Sequence, residues 1–173
     1  PKSIKFMKSI DVAVVRAIKM IYNDRKASDG FVDLCLTVCR TAQSLMSYYG
    51  DEAKVFTRTE LLDYDYFPQP QPDLYMSIKR KTVQHYFVDI YDDTAPAFTV
   101  AKKIKQYAEH SESGEWDVTD SVYPEVIIAC ISDKADKKVR KKLLESATGD
   151  VAVYTCTLPT LESTDDTSPF TEV

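Results

Sequence analysis

Between Pro124 and Ser132 the chain reads PEVIIACIS, with six apolar residues in unbroken succession from Val126 to Ile131. The run is too short for an ordinary helix and does not alternate, so it cannot turn one side to water. It reads as a strand near the centre of a sheet, covered on both faces. Whatever precedes and follows it must therefore supply two covering layers.

The flanking segments have the right periodicity. Residues 9–26 place Ile10, Val14, Ile18 and Ile21 on one helical stripe, and residues 28–50 read as a second helix with Asp29 as N-cap and Gly50 as its stop. AKVFTRTELL (53–62) is β-prone. In YDYFPQPQP the alternating prolines remove donors and hold the chain extended. DLYMSIKRK and TVQHYFVDIY then form two strands joined by a basic turn, with Val83, His85, Phe87, Asp89 and Tyr91 on one face. Residues 96–111 form a helix with Phe98, Ala101, Ile104 and Tyr107 or Ala108 inward, and GEWDVTDSVY is expected to be an exposed connector. A helix from Ser132 or Asp133 and a strand DVAVYTCTL complete the order. The pattern predicts an α/β fold with a mixed central sheet sandwiched by helices. One domain is expected over 1–158, followed by a loose acidic tail over 159–173.

Composition narrows the class. A chain of 173 residues with 44% hydrophobic and 28% charged residues has material for one core. No apolar run approaches the roughly 18 residues that span a bilayer, so no membrane role is expected and a cytoplasmic location is the simplest reading. The chain begins at Pro1 rather than Met, as expected of a domain cut from a longer protein. Cys35, Cys39, Cys130 and Cys156 lack the paired spacing of a zinc site and are expected to be buried thiols. The net charge of −5 excludes a general polycation, yet the basic residues clump at 79–81, 102–105 and 134–142. Such clumps are either solvated faces or a local nucleic-acid surface.

Glu60, Asp73 and Asp89 precede or enter the sheet. Carboxylates converging from adjacent strands suit a hard cation such as Mg²⁺, and a nearby lysine can stabilise the charge of a reacting phosphate. Acidic residues at strand starts are also common on solvated hairpins, so spacing alone leaves both readings open.

The order of these pieces resembles the PD-(D/E)xK nuclease superfamily, and more narrowly the nuclease-like domain of the replication-relaxation family of plasmid and mobile-element proteins. The pieces are IDVAVVRAI, Glu60 in TRTELL, Pro72-Asp73, FVDIYDDT, KIKQY at 103–107 and YPEVIIACISDKADKKVRKKLL. The resemblance covers about residues 5 to 156. It implies a restriction-endonuclease-like fold, a metal site of Asp73, Asp89 and Glu60, and Lys103 as the catalytic lysine supplied from a helix. In that family an N-terminal winged helix precedes the domain. Two positions depart from the pattern: the usual E-x-D reads Asp89-Ile90-Tyr91, and the lysine of D-x-K is missing from that strand. On this resemblance the chain is expected to be a DNA-binding accessory of replication or mobilisation, with a catalytic centre open to degeneration. An active Mg²⁺-dependent endonuclease or nickase, and a protein-interaction domain without nucleic acid, are the alternatives. Lys79, Arg80, Lys81, Lys102 and Lys105 are the expected DNA contacts, flanking the acidic cleft.

Overall fold

In the computed structural model, which describes residues 29–146, 149–163 and 168–173, the apolar run becomes an inner strand of a six-stranded sheet. The elements are α1 (Asp29–Tyr49), β1 (Ala53–Thr57), β2 (Leu74–Lys79), β3 (Val83–Tyr91), α2 (Phe98–Ser113), β4 (Glu125–Cys130), α3 (Asp133–Leu144), β5 (Val153–Thr157), α4 (Leu158–Glu162) and β6 (Thr171–Glu172). Strand order follows the chain from β1 to β6. β1, β2 and β3 are antiparallel, β3, β4 and β5 are parallel, and β6 returns antiparallel to β5. The helix expected over 9–26 lies outside the described residues. No described helix is long and apolar enough to cross a membrane.

Alternation along β4 explains its composition. Val126, Ile128 and Cys130 enter the core beneath α2 and α3, while Ile127 and Ala129 enter the core beneath α1 and α4. All five are at most 1% exposed. The crossovers β3–α2–β4 and β4–α3–β5 leave both helices on one face, as right-handed connections must when strands are added in one direction. Ser132 caps α3, its hydroxyl accepting from the Ala135 N–H at 3.2 Å. Asp29 is the first residue of α1 rather than its cap, placing a carboxylate where the helix dipole favours one. Gly50 ends α1 with φ at +56°, a conformation that side chains resist.

Several expectations are corrected. Residues 114–123 are not an exposed connector throughout, because Trp116 is 3% exposed and Gly114, at φ +76°, turns the chain so that it enters. The reason is a gap over the β1–β3 half of the sheet, which aromatic rings fill. Phe67 meets Tyr75, Phe87 and Trp116 at centroid distances of 5.2, 5.9 and 5.4 Å. The proline segment feeds this cluster, and its Phe67 and Gln71 are buried. Two parts of the segment expected to be a loose tail are ordered. Leu158 and Leu161 bury α4 against the sheet, and Thr171–Glu172 pairs with β5. Cys130 and Cys156 are buried free thiols, whereas Cys35 and Cys39 lie exposed on α1.

His85 stacks on Tyr75 with rings 7° from parallel, and its Nδ1 lies 2.6 Å from the Tyr75 hydroxyl. Burial holds this imidazole below the ordinary histidine value, so the folded state resists the proton. Below about pH 6.5 the unfolded chain binds a proton that the folded ring refuses, and stability contributed there is lost as pH falls. The Tm advantage of the wild type over His85→Gln should therefore shrink between pH 7 and pH 5.5 in scanning calorimetry. Trp116→Ala should cost about 3–5 kcal/mol in urea unfolding. Val118→Ala, at a position 73% exposed in the same turn, should stay within about 0.5 kcal/mol.

Candidate acidic cleft at the carboxyl ends of the parallel strands

Strand register builds this site. β2 and β3 pair Leu74 with Val88, so Asp73, one residue before β2, falls beside Asp89. Odd positions on both strands turn toward α2, as Tyr75, Phe87 and Tyr91 do. The Asp73 N–H donates to Asp89 Oδ1 at 3.3 Å, and the Ile90 N–H donates to Asp73 Oδ2 at 3.0 Å. Both carboxyl groups line one cavity of about 140 Å³ with Tyr91, Thr99, Val100 and Lys103. It opens where β3 and β4 end, the end of a parallel sheet at which α/β folds bind ligands.

Burying two carboxylates demands donors, and three elements provide them. Lys103 and Tyr107 stand one turn apart on α2 and reach the same group. Lys103 Nζ donates to Asp89 Oδ1 at 2.5 Å and to the Gln71 carbonyl at 3.1 Å; the Tyr107 hydroxyl donates to Asp89 Oδ2 at 2.7 Å. Arg58 serves the other carboxylate. Its backbone N–H donates to the Asp73 carbonyl at 3.2 Å, continuing the β1–β2 pairing by one residue, and its guanidinium pairs with Asp73 Oδ1. Burial and then the charge of Asp89 push the Asp73 carboxyl above its ordinary value, against the pull of Lys103 and Arg58. Burial, reinforced by Asp89, holds the Tyr107 phenol well above its ordinary value, so it remains a donor.

Three of the residues singled out from sequence, Asp73, Asp89 and Lys103, meet in this cleft. Glu60 does not line it. The strand ends at Thr57, and in the turn that follows Glu60 Oε2 accepts from both the N–H and the hydroxyl of Thr57 at 2.7 Å. The basic turn Lys79, Arg80 and Lys81 does not flank the cleft either. Asp73 precedes β2 and Lys79 ends it, so six residues of extended chain separate them by about 20 Å. Arg80 instead pairs with Glu52 at 3.1 Å and lies 5.7 Å from the Tyr49 ring centroid. Lys102 and Lys105 are exposed on α2, beside the inward Lys103. Sequence reading passed over Arg58 and the donor role of Tyr107, and it did not bring the basic start of α3 to the cleft. There Lys134 approaches Asp93 at 3.7 Å and Lys138 lies 5.8 Å from the Tyr91 ring centroid.

Whether the cleft suits Mg²⁺ is decided by its donors. All four carboxylate oxygens of Asp73 and Asp89 already accept hydrogen bonds, and two cations face two anions. Tyr91 stands where the resembled pattern has a second strand acid, and its hydroxyl donates to the Ala95 carbonyl at 2.7 Å. Among the described residues no group of three His, Cys, Asp or Glu side chains is placed to hold a metal ion. The residues present do not fit a resident Mg²⁺.

The Lys103 and Asp89 side chains are only 18% and 9% exposed, so breaking the pair strands a buried charge. Lys103→Met should destabilise by about 3–5 kcal/mol, Tyr107→Phe by about 1–3 kcal/mol, and Glu60→Gln by no more than about 0.5 kcal/mol. Equilibrium urea unfolding of the three variants checks the ranking. Comparison with protein-family models, curated proteins and solved structures finds no match to this chain.

Proposed function

We propose that this domain is a restriction-endonuclease-like fold that binds DNA without cutting it, as a cytoplasmic accessory in replication or mobilisation of a plasmid or other mobile element. The observation that carries the reading is the convergence of Asp73, Asp89 and Lys103 at one end of a sheet in which a β-meander leads into a parallel crossover. An acid opening one strand, an acid inside the next and a lysine from the following helix is the arrangement the resemblance implies for a nuclease centre. The charge balance of the cleft and the tyrosine at position 91 favour a silent centre over an active one.

The DNA surface in this reading is the face formed by α2 and α3. α3 carries Lys134, Lys137, Lys138, Arg140, Lys141 and Lys142 against only Asp133 and Asp136. Lys102 and Lys105 extend the positive strip along α2. A net charge of −5 does not oppose this, because charges beyond a Debye length of about 8 Å are largely screened at physiological salt.

A salt-titrated binding assay with duplex and single-stranded DNA tests the reading. Replacing Lys102, Lys134 and Lys138 by alanine should lower the log–log salt slope by about 2–3, at roughly 0.9 for each duplex phosphate that is no longer neutralised. The same replacement of Lys79, Arg80 and Lys81 should leave it nearly unchanged. Cleavage should be absent with and without Mg²⁺. No binding at low salt would favour a protein-interaction domain, and Mg²⁺-dependent cleavage would favour an active endonuclease.

A further inference from the structure

Phe98 opens α2 with 60% of its surface exposed, more than any other aromatic residue among the described residues. Its spacing suggests an inward ring, but the rotation of the helix decides otherwise. Lys103 and Tyr107 are held to Asp89, five and nine residues beyond Phe98. At 3.6 residues per turn they lie about 140° and 180° around the helix from it, so fixing them inward turns Phe98 to solvent.

The ring emerges among lysines. Lys102 and Lys105 follow it on the same exposed stripe, Lys102 about 6 Å further along the axis. α3 adds two more. Lys134 reaches Asp93 at 3.7 Å and Lys138 lies 5.8 Å from the Tyr91 ring centroid, so the first turns of α3 border the β3–α2 connection that Phe98 closes. Lys105 has Glu109 as a neighbour at 3.7 Å, with both side chains more than half exposed, and a pair of that kind holds its lysine weakly.

We propose that this face takes single-stranded DNA, its lysines following the phosphates while one base stacks on Phe98. The inference rests on the DNA-binding reading above and names the form of DNA that the same surface prefers. An intact duplex offers the ring little, because its bases cover one another and present only phosphates and groove edges. A single strand carries phosphates as well, with its base faces free. Sites that hold single strands without regard to sequence combine a basic track with aromatic side chains in just this way.

The test is fluorescence anisotropy in EDTA with three labelled ligands of one length: a single strand, an abasic single strand and a duplex. Phe98→Ala should weaken binding of the single strand about tenfold to a hundredfold, the loss expected for one stacked base. Phe98→Tyr should bind like the wild type. The salt slope of Phe98→Ala should match that of the wild type, because no charge is removed, whereas Lys102→Ala should lower the single-strand slope by about 0.7. On the abasic strand and the duplex, Phe98→Ala and the wild type should bind alike. The wild type should also bind the abasic strand more weakly than the intact one, a comparison that needs no variant to fold. Equal binding of the intact strand by Phe98→Ala and the wild type overturns the inference, as does an equal loss on the abasic strand or the duplex. If lysine replacements weaken binding and Phe98→Ala does not, the DNA reading stands and only this inference falls. If the wild type binds none of the three at low salt, both fall.

Discussion

A carboxylate buried to 6% exposure between Val88 and Ile90 is a costly placement, and much of the architecture around it offsets that cost. Asp89 sits in a strand whose preceding residues, Phe87 and Val88, are fully buried, so the strand cannot shift to carry it outward. Its donors come from elsewhere in sequence: the amide of Asp73, the ammonium of Lys103 and the phenol of Tyr107. Each fixes a different degree of freedom. The amide ties the register of the hairpin, and Lys103 with Tyr107 sets the rotation of α2 about its axis. Lys103 also reaches back to the Gln71 carbonyl, tethering the β1–β2 connection to the same point.

Sheet topology then decides which charges can act together. Two parallel crossovers carry α2 and α3 over one face, and the carboxyl ends of β3 and β4 release their loops at the cleft. The first turns of α3 arrive there for the same reason, which is why Lys138 lies against Tyr91. The β2–β3 turn must lie at the opposite end, since an antiparallel hairpin puts its turn as far as possible from its open ends. Charge clumps adjacent in sequence to acidic residues are thus separated, while clumps distant in sequence are joined.

What could be read from the residues was what short-range pattern controls. The doubly buried β4, the hairpin, α2 and α3 each advertise themselves by period two, by period 3.6 or by an unbroken apolar run. Asp73 and Asp89 were recognisable because their strands are consecutive and one residue of register places them together. Arg58 was not, because its role depends on the β1–β2 pairing across a connection of sixteen residues, from 58 to 73, that no local pattern aligns. Glu60 was the more conspicuous candidate by motif, yet its strand stops at Thr57 and the turn consumes its carboxylate. Trp116 failed for a related reason. Polar neighbours make its segment look exposed, and only the aromatic gap above β2 and β3 gives the indole a reason to turn inward.

Arg58 and Tyr91 lie far apart in sequence, but both bear on the charge of the cleft. Tyr91 is neutral, and its hydroxyl turns to the Ala95 carbonyl. Arg58 pairs with Asp73 and Lys103 with Asp89, so two cations balance two buried acids. Removing either cation would leave an unpaired carboxylate in a site this buried, which is strongly unfavourable. The cleft therefore acts as a structural keystone that ties the hairpin to α2.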